Sequence, residues 1–240
     1  MFTKITLENF RSFDHIELDL TEKGNTAKHL AILYGENGAG KSNLMSAFVL
    51  LPELTRTMDA RAAYERILAQ GAIFQDENME KEMREHIRQR LRDMSAIIKD
   101  YQMADCENPI IAEYEFNIDG NNGCYRVEFG QDEILHERLE FVLNRRRGLY
   151  FDCSVTGINI NDSIVEKEQG KEFLTDVKEM AKRYWGKHSL LAILIYEMKD
   201  KSNSFGRDNI TENFNALLNE FRNLSCTVSM GDKSWEGLYA

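Results

Sequence analysis

Several features that would each define a class of protein are scarce or missing. The chain has two prolines in 240 residues, Pro52 and Pro109, which excludes collagen-like and proline-rich disordered chains. Its four cysteines, Cys106, Cys124, Cys153 and Cys226, stand far apart without CxxC spacing. That argues against a disulfide framework or a metal knuckle, and for reduced thiols. No stretch approaches the roughly 20 apolar residues that a membrane-spanning helix needs. The opening residues, MFTKITLENF, lack the basic segment and apolar run of a signal peptide. Neither an internal repeat nor a low-complexity tract is found. These absences predict a cytoplasmic protein with no membrane partner. A basic excess is missing too: 30 Lys and Arg stand against 40 Asp and Glu, a formal charge of −10. A broad, sequence-independent grip on DNA calls for the opposite balance, so DNA contact is expected only through a local patch or a partner.

What is present is a globular composition, 42% hydrophobic and 29% charged, on a chain long enough to bury a core. Residues 2–10 (FTKITLENF) alternate through Phe2, Ile5, Leu7 and Phe10, the period of a strand with one buried face. Residues 15–20 repeat the alternation, predicting a hairpin-like pair. Residues 30–34 (LAILY) are a short continuous apolar run, as expected of a strand buried on both faces of a sheet. Residues 43–57 have helical spacing, with Pro52 predicting a kink or an end. From residue 61 to 103 the chain reads helical. Met79, Met83, Ile87, Leu91, Met94, Ile98 and Tyr101 form a stripe read as packing on the protein's own core rather than on a partner. Residues 112–118, 124–129, 134–143 and 149–155 read as strands of an antiparallel meander, with a strong turn signal in DGNNG at residues 119–123. The triplet Arg145, Arg146 and Arg147 is placed at a turn, read as solvated in preference to a phosphate-binding patch. Residues 165–184, 189–199 and 210–224 return to helix.

The motif that carries chemistry is GENGAGKS at residues 35–42, which fits G-x4-G-K-[ST] between a strand-like run and an amphipathic segment. With average residue usage, a chance match in a chain of this length has odds of roughly one in a hundred. Gly35, Gly38 and Gly40 are expected to let the backbone wrap a phosphate in conformations that a side chain would obstruct. The N–H groups from Asn37 through Gly38, Ala39, Gly40 and Lys41 to Ser42 then point inward, and the start of the following helix favours anions. Lys41 would reach the β- and γ-phosphates as the catalytic cation, and Ser42 would offer its hydroxyl to Mg²⁺. Asn37, Gly38, Ala39, Gly40, Lys41, Ser42 and Asn43 are therefore the candidate nucleotide-binding residues, and ATP with Mg²⁺ the expected cofactors.

ITLENFRSF, IELDL and LYGENGAGKSNLMSAF together resemble the N-terminal lobe of ABC-type ATPase heads of the SMC, RecF and OLD-like group. The match covers about the first 50 residues. Its specific parts are Asn37 and the cluster Phe10, Arg11, Ser12 and Phe13, which a generic P-loop does not require. Among that group, ENPIIAEYEFNIDG, ILHERLEFVLNRRRGLYF and KHSLLAILI resemble prokaryotic OLD-like and RloC-like AAA ATPases of anti-phage defence. The resemblance implies that Arg11 approaches the nucleotide phosphates and that two heads form a homodimer or higher oligomer around ATP. It also implies control of DNA or of an effector such as a nuclease or toxin.

The chain departs from that pattern as well. ABC heads carry an LSxG signature helix and then an apolar strand ending in Asp-Glu. Residues 191–197 (LAILIYE) imitate that strand, but Tyr196 stands in place of the Asp, and the segment reads as helix. Leu224, Ser225 and Cys226 make no convincing signature, and Gln75, Gln102, Gln131 and Gln169 lack the context of a Q-loop. The expected fold is α/β: a P-loop NTPase lobe with a mixed sheet at residues 1–108, an antiparallel β portion at 109–156, and a helical segment at 157–240 that begins an arm or leads to a further lobe. The chain then reads as an ATPase subunit or fragment whose hydrolysis needs motifs absent from these 240 residues. The rival readings are a non-hydrolysing ATP-binding module that restrains a nuclease or toxin, and a small-molecule kinase, the latter disfavoured by the hairpin ahead of the loop.

Overall fold

The computed structural model describes residues 1–22, 26–70, 81, 92–143, 146–166, 168–200, 209–224, 229–230 and 233–234. Strict alternation builds the central sheet. β1 (Phe2–Phe10) and β2 (Phe13–Asp19) form the first hairpin; β3 (Ile110–Ile118), β4 (Asn121–Phe129), β5 (Ile134–Leu143), β6 (Arg146–Ser154) and β7 (Gly157–Ile160) form a meander. The seven strands stand in the order β2-β1-β3-β4-β5-β6-β7, and every pairing is antiparallel. The N-terminal hairpin thus joins the meander in one sheet, β1 pairing with β3 at Ile5–Tyr114 and Leu7–Ala112. The turn signal after β3 is realised: Asp119 and Gly120 both hold positive φ, 51° and 79°, as a two-residue hairpin turn of the mirror-image type requires.

Two expectations fail together. The sheet is not mixed, and residues 30–34 form no strand. Leu30, Ile32 and Tyr34 are 76%, 75% and 92% exposed, and none of the seven strands pairs with this run. Apolar character signals a tendency to be buried, but a strand also needs a hydrogen-bonded neighbour, and no described segment supplies one.

One face of the sheet is the core. Tyr114, Phe116, Tyr125, Phe141 and Tyr150 point inward and are fully or almost fully buried. α1 (Lys41–Gln70), α2 (Met94–Tyr101), α3 (Glu168–Tyr184), α4 (Leu190–Asp200) and α5 (Glu212–Arg222) contribute to it. Phe221 of α5 meets Phe116 edge-on at 5.5 Å, and Phe214 stacks on Tyr150 at 5.2 Å. The described helices beyond residue 157 lie on this core, as the buried row Phe214, Leu217, Leu218 and Phe221 at helical spacing demands. α1 does not end at Pro52 but runs through it. The missing N–H frees one carbonyl, and packing of Leu50, Leu51 and Leu54 holds the helix there.

Met94, Ile98 and Tyr101 of the methionine-bearing stripe are buried in α2 as expected; Met79, Met83, Ile87 and Leu91 lie outside the described residues. So does Arg145, while Arg146 and Arg147 open β6 rather than a turn, and Arg147 pairs with Glu140 at 2.8 Å. The opposite sheet face carries a cross-strand lattice of charge, Glu113–Arg126 and Arg138–Asp152 among its rungs. Residues 191–197 are helical, as read from the sequence. No helix among the described residues is long and apolar enough to cross a membrane.

Candidate functional site

Residues 35–40 form a loop, exposed as far as Ala39, that turns at Asn37 and Gly38 and delivers the chain into α1, whose first three residues are Lys41, Ser42 and Asn43. Gly38 and Gly40 hold φ of 87° and 83°, conformations costly for any residue with a Cβ. At Gly38 a Cβ would meet nothing within 4 Å, so φ alone selects glycine there; at Gly40 it would also come within 2.8 Å of the Phe13 ring. Gly35 has no positive φ, and a Cβ there would make only ordinary contact with Ala39 at 3.8 Å. Its expected conformational role is not needed in this structure.

The first N–H of α1 to find a helical carbonyl is that of Leu44, bonded to Gly40 O at 2.9 Å. The N–H groups of Lys41, Ser42 and Asn43 belong to the unsatisfied first turn, where the helix end carries partial positive charge. Within the loop only Ala39 N–H bonds back, to Glu36 O at 3.3 Å. The Lys41 ammonium curls over the loop, donating to Gly35 O at 2.7 Å and Glu36 O at 2.6 Å. A cation held by two neutral carbonyls can exchange them for phosphate oxygens at a gain, since charge-assisted bonds are stronger. The Ser42 hydroxyl is exposed and makes no hydrogen bond among the described residues. This donor set fits an anion of the phosphate class. For Mg²⁺ it offers one hydroxyl, and no group of three His, Cys, Asp or Glu that could hold a metal occurs among the described residues.

Arg11 sits in the adjacent turn between β1 and β2, with φ of 52°. Its guanidinium lies 5.0 Å from the centre of the Tyr101 ring, and its Nε is buried without a partner. The contacts of this side chain run toward α2, not toward residues 35–43. Tyr101 in turn donates to Glu53 Oε2 at 2.9 Å, and Arg92 to Glu53 Oε1 at 2.6 Å. Burial raises the Glu53 carboxyl above the ordinary range while Arg92 and Tyr101 oppose that rise. This network ties α2 to the helix that starts at Lys41.

Reading the sequence for phosphate chemistry missed two partners of the loop, Ser12 and Phe13. Asn43 Nδ2 donates to Ser12 Oγ at 2.8 Å. The available signal was the cluster Phe10–Phe13 itself, which sets this hairpin apart from a generic one. Also unforeseen is a groove of about 670 Å³ beside the loop, lined by Leu18, Leu33, Lys41, Ser42, Met45 and Phe48 among others. It is mainly apolar, with the site lysine and serine at its wall.

Glycines at positive φ, leading to a lysine in the first turn of a long helix packed under a sheet, define a P-loop nucleotide-binding protein. The chain belongs to the AAA ATPase domain family, whose model matches residues 1–225. Comparison with curated proteins finds no match. Membership brings nucleotide binding, typically with Mg²⁺, as the shared property of the family.

Proposed function

We propose that this chain binds ATP·Mg²⁺ at residues 35–42 and forms the N-terminal part of an ABC-type ATPase head of the SMC, RecF and OLD-like kind. The observation that carries this reading is the pairing of left-handed Gly38 and Gly40 with Lys41 at the start of α1. In it, the first-turn N–H groups and Lys41 bind the phosphates, and Ser42 helps to hold Mg²⁺, which supplies charge neutralisation at the β- and γ-phosphates. Arg11 would have to leave Tyr101 to reach a phosphate.

Hydrolysis needs a carboxylate to orient water and a second hold on the metal. The buried segment that imitates the missing strand is helix α4. Those carboxylates would therefore come from a further lobe, seated against exposed residues 30–34 and the groove beside Lys41 and Ser42. Nucleotide would engage two such heads as a homodimer or higher oligomer and thereby control DNA or an effector, in anti-phage defence. A second reading, a non-hydrolysing ATP-binding module that restrains a nuclease or toxin, draws on the same lack of a carboxylate pair. Multiple-turnover phosphate release separates them. The chain alone should bind ATP with almost no turnover, and turnover should appear on adding the lobe that bears the carboxylates. Robust turnover by the chain alone, abolished in Lys41→Ala, would contradict the split engine.

A further inference from the structure

The turn between β1 and β2 is gripped from two sides. Toward α2, Arg11 N–H donates to Tyr101 O at 2.8 Å and Met103 N–H to Asn9 O at 3.3 Å. Asn9 and Arg11 both take positive φ, 51° and 52°, an arrangement uncommon for residues with a side chain and held only where surroundings over-determine it. Toward the phosphate loop, Ser12 Oγ accepts from Asn43 Nδ2 at 2.8 Å, and the Phe13 ring fills the space a Cβ on Gly40 would need. The loop itself has one internal backbone bond at 3.3 Å and is exposed from residue 35 to 39. Besides that bond and the two that Lys41 donates to Gly35 O and Glu36 O, the bracing among the described residues comes from the β1–β2 turn, at Ser12 and Phe13.

From this we infer that Ser12 is a positioning residue for the nucleotide phosphates. Through its hydroxyl it fixes Asn43, and with it the first turn of α1, whose N–H groups face the anion. It acts through Asn43 and touches no nucleotide itself. Phe13 supports the same arrangement by closing off the far side of Gly40. The inference rests on reading residues 35–42 as a phosphate site.

The test is calorimetric titration of the full chain with ATP·Mg²⁺ and, separately, with inorganic pyrophosphate. The variants are Ser12→Ala, Asn43→Ala, the double variant, Ser12→Thr and Lys41→Ala, each with its thermal unfolding midpoint. Either single alanine should weaken both ligands about two- to tenfold, the worth of one hydrogen bond to a neutral partner. The double variant should be no weaker than the weaker single one, because both remove the same bond. Ser12→Thr, which keeps the hydroxyl, should restore affinity. Equal factors for ATP and pyrophosphate locate the effect at the phosphates rather than the nucleoside, and an unchanged unfolding midpoint separates it from a general loss of stability, which would weaken both ligands alike. Additive losses would overturn the positioning role and leave the phosphate site standing. So would wild-type affinity in Ser12→Ala while Lys41→Ala weakens binding. No binding by the wild type would overturn both.

Discussion

Glu137 sits in β5 on the inward face of the sheet, fully buried, at a register position facing Cys153 on β6. Three donors converge on it: Tyr125 OH at 3.0 Å, Trp185 Nε1 at 3.0 Å and the N–H of Leu190, the first residue of α4, at 2.7 Å. Among the described residues no cation pairs with it. Burial pushes its carboxyl up from 4.5 to about 7, against the pull of those hydrogen bonds. The folded state thus holds the proton more tightly than the unfolded chain, and the group's contribution is fully present below pH 4.5 and lost as pH rises through about 7. At about 1.4 kcal/mol per pH unit, the interval from 4.5 to about 7 corresponds to on the order of 3 kcal/mol. Glu137→Gln should abolish this dependence. The amide oxygen can accept from Trp185 and Leu190 while the amide nitrogen donates to Tyr125. Denaturant unfolding of both proteins from pH 4.5 to 8 is the assay. The variant should gain on the wild type steadily as pH rises, by a few kcal/mol at pH 8. His188, which burial pushes down to about 4, has the opposite pH dependence but is common to both proteins and cancels in the difference. Parallel pH profiles would refute the buried, uncompensated carboxyl.

Two further outcomes follow from particular contacts. Ser42→Ala should weaken ATP binding measured with Mg²⁺ more than binding measured in EDTA; equal losses would reduce the hydroxyl to a helix cap. Gly123→Ala should lower stability by about 1–3 kcal/mol through overpacking, because the new Cβ would lie 2.3 Å from the Phe116 ring and 2.8 Å from Phe141. Thermal and denaturant unfolding check this, and an unchanged midpoint would mean that the two rings yield freely.

Much of the meander was legible because its strands carry one buried face, so Tyr114, Phe116, Tyr125 and Val127 fall at every second position. The loop at residues 35–40 and the helix start that follows were legible because glycines at positive φ and a lysine at a helix start leave a fixed spacing in the sequence. Residues 30–34 misled because five apolar residues state a preference for burial and say nothing about which strand will lie alongside. Pro52 does not end the helix because local propensity yields to tertiary packing when Leu50, Leu51 and Leu54 are all buried. β7 escaped notice because GINI is four residues long and only two of them are apolar. The Ser12–Asn43 bond spans 31 residues, and a single sequence carries no sign of which turn a loop will rest against.

In the function proposed for this chain, Lys41 and the turn before it bind a nucleoside triphosphate by its phosphates. Calorimetric titration of ATP·Mg²⁺ into the wild type and into Lys41→Ala, with circular dichroism to confirm that both are folded, tests it directly. A charge-assisted hydrogen bond is worth about 1.5–3 kcal/mol, so the variant should bind roughly ten- to a hundredfold more weakly. Equal affinity in a folded Lys41→Ala protein would contradict the assignment of the phosphate site.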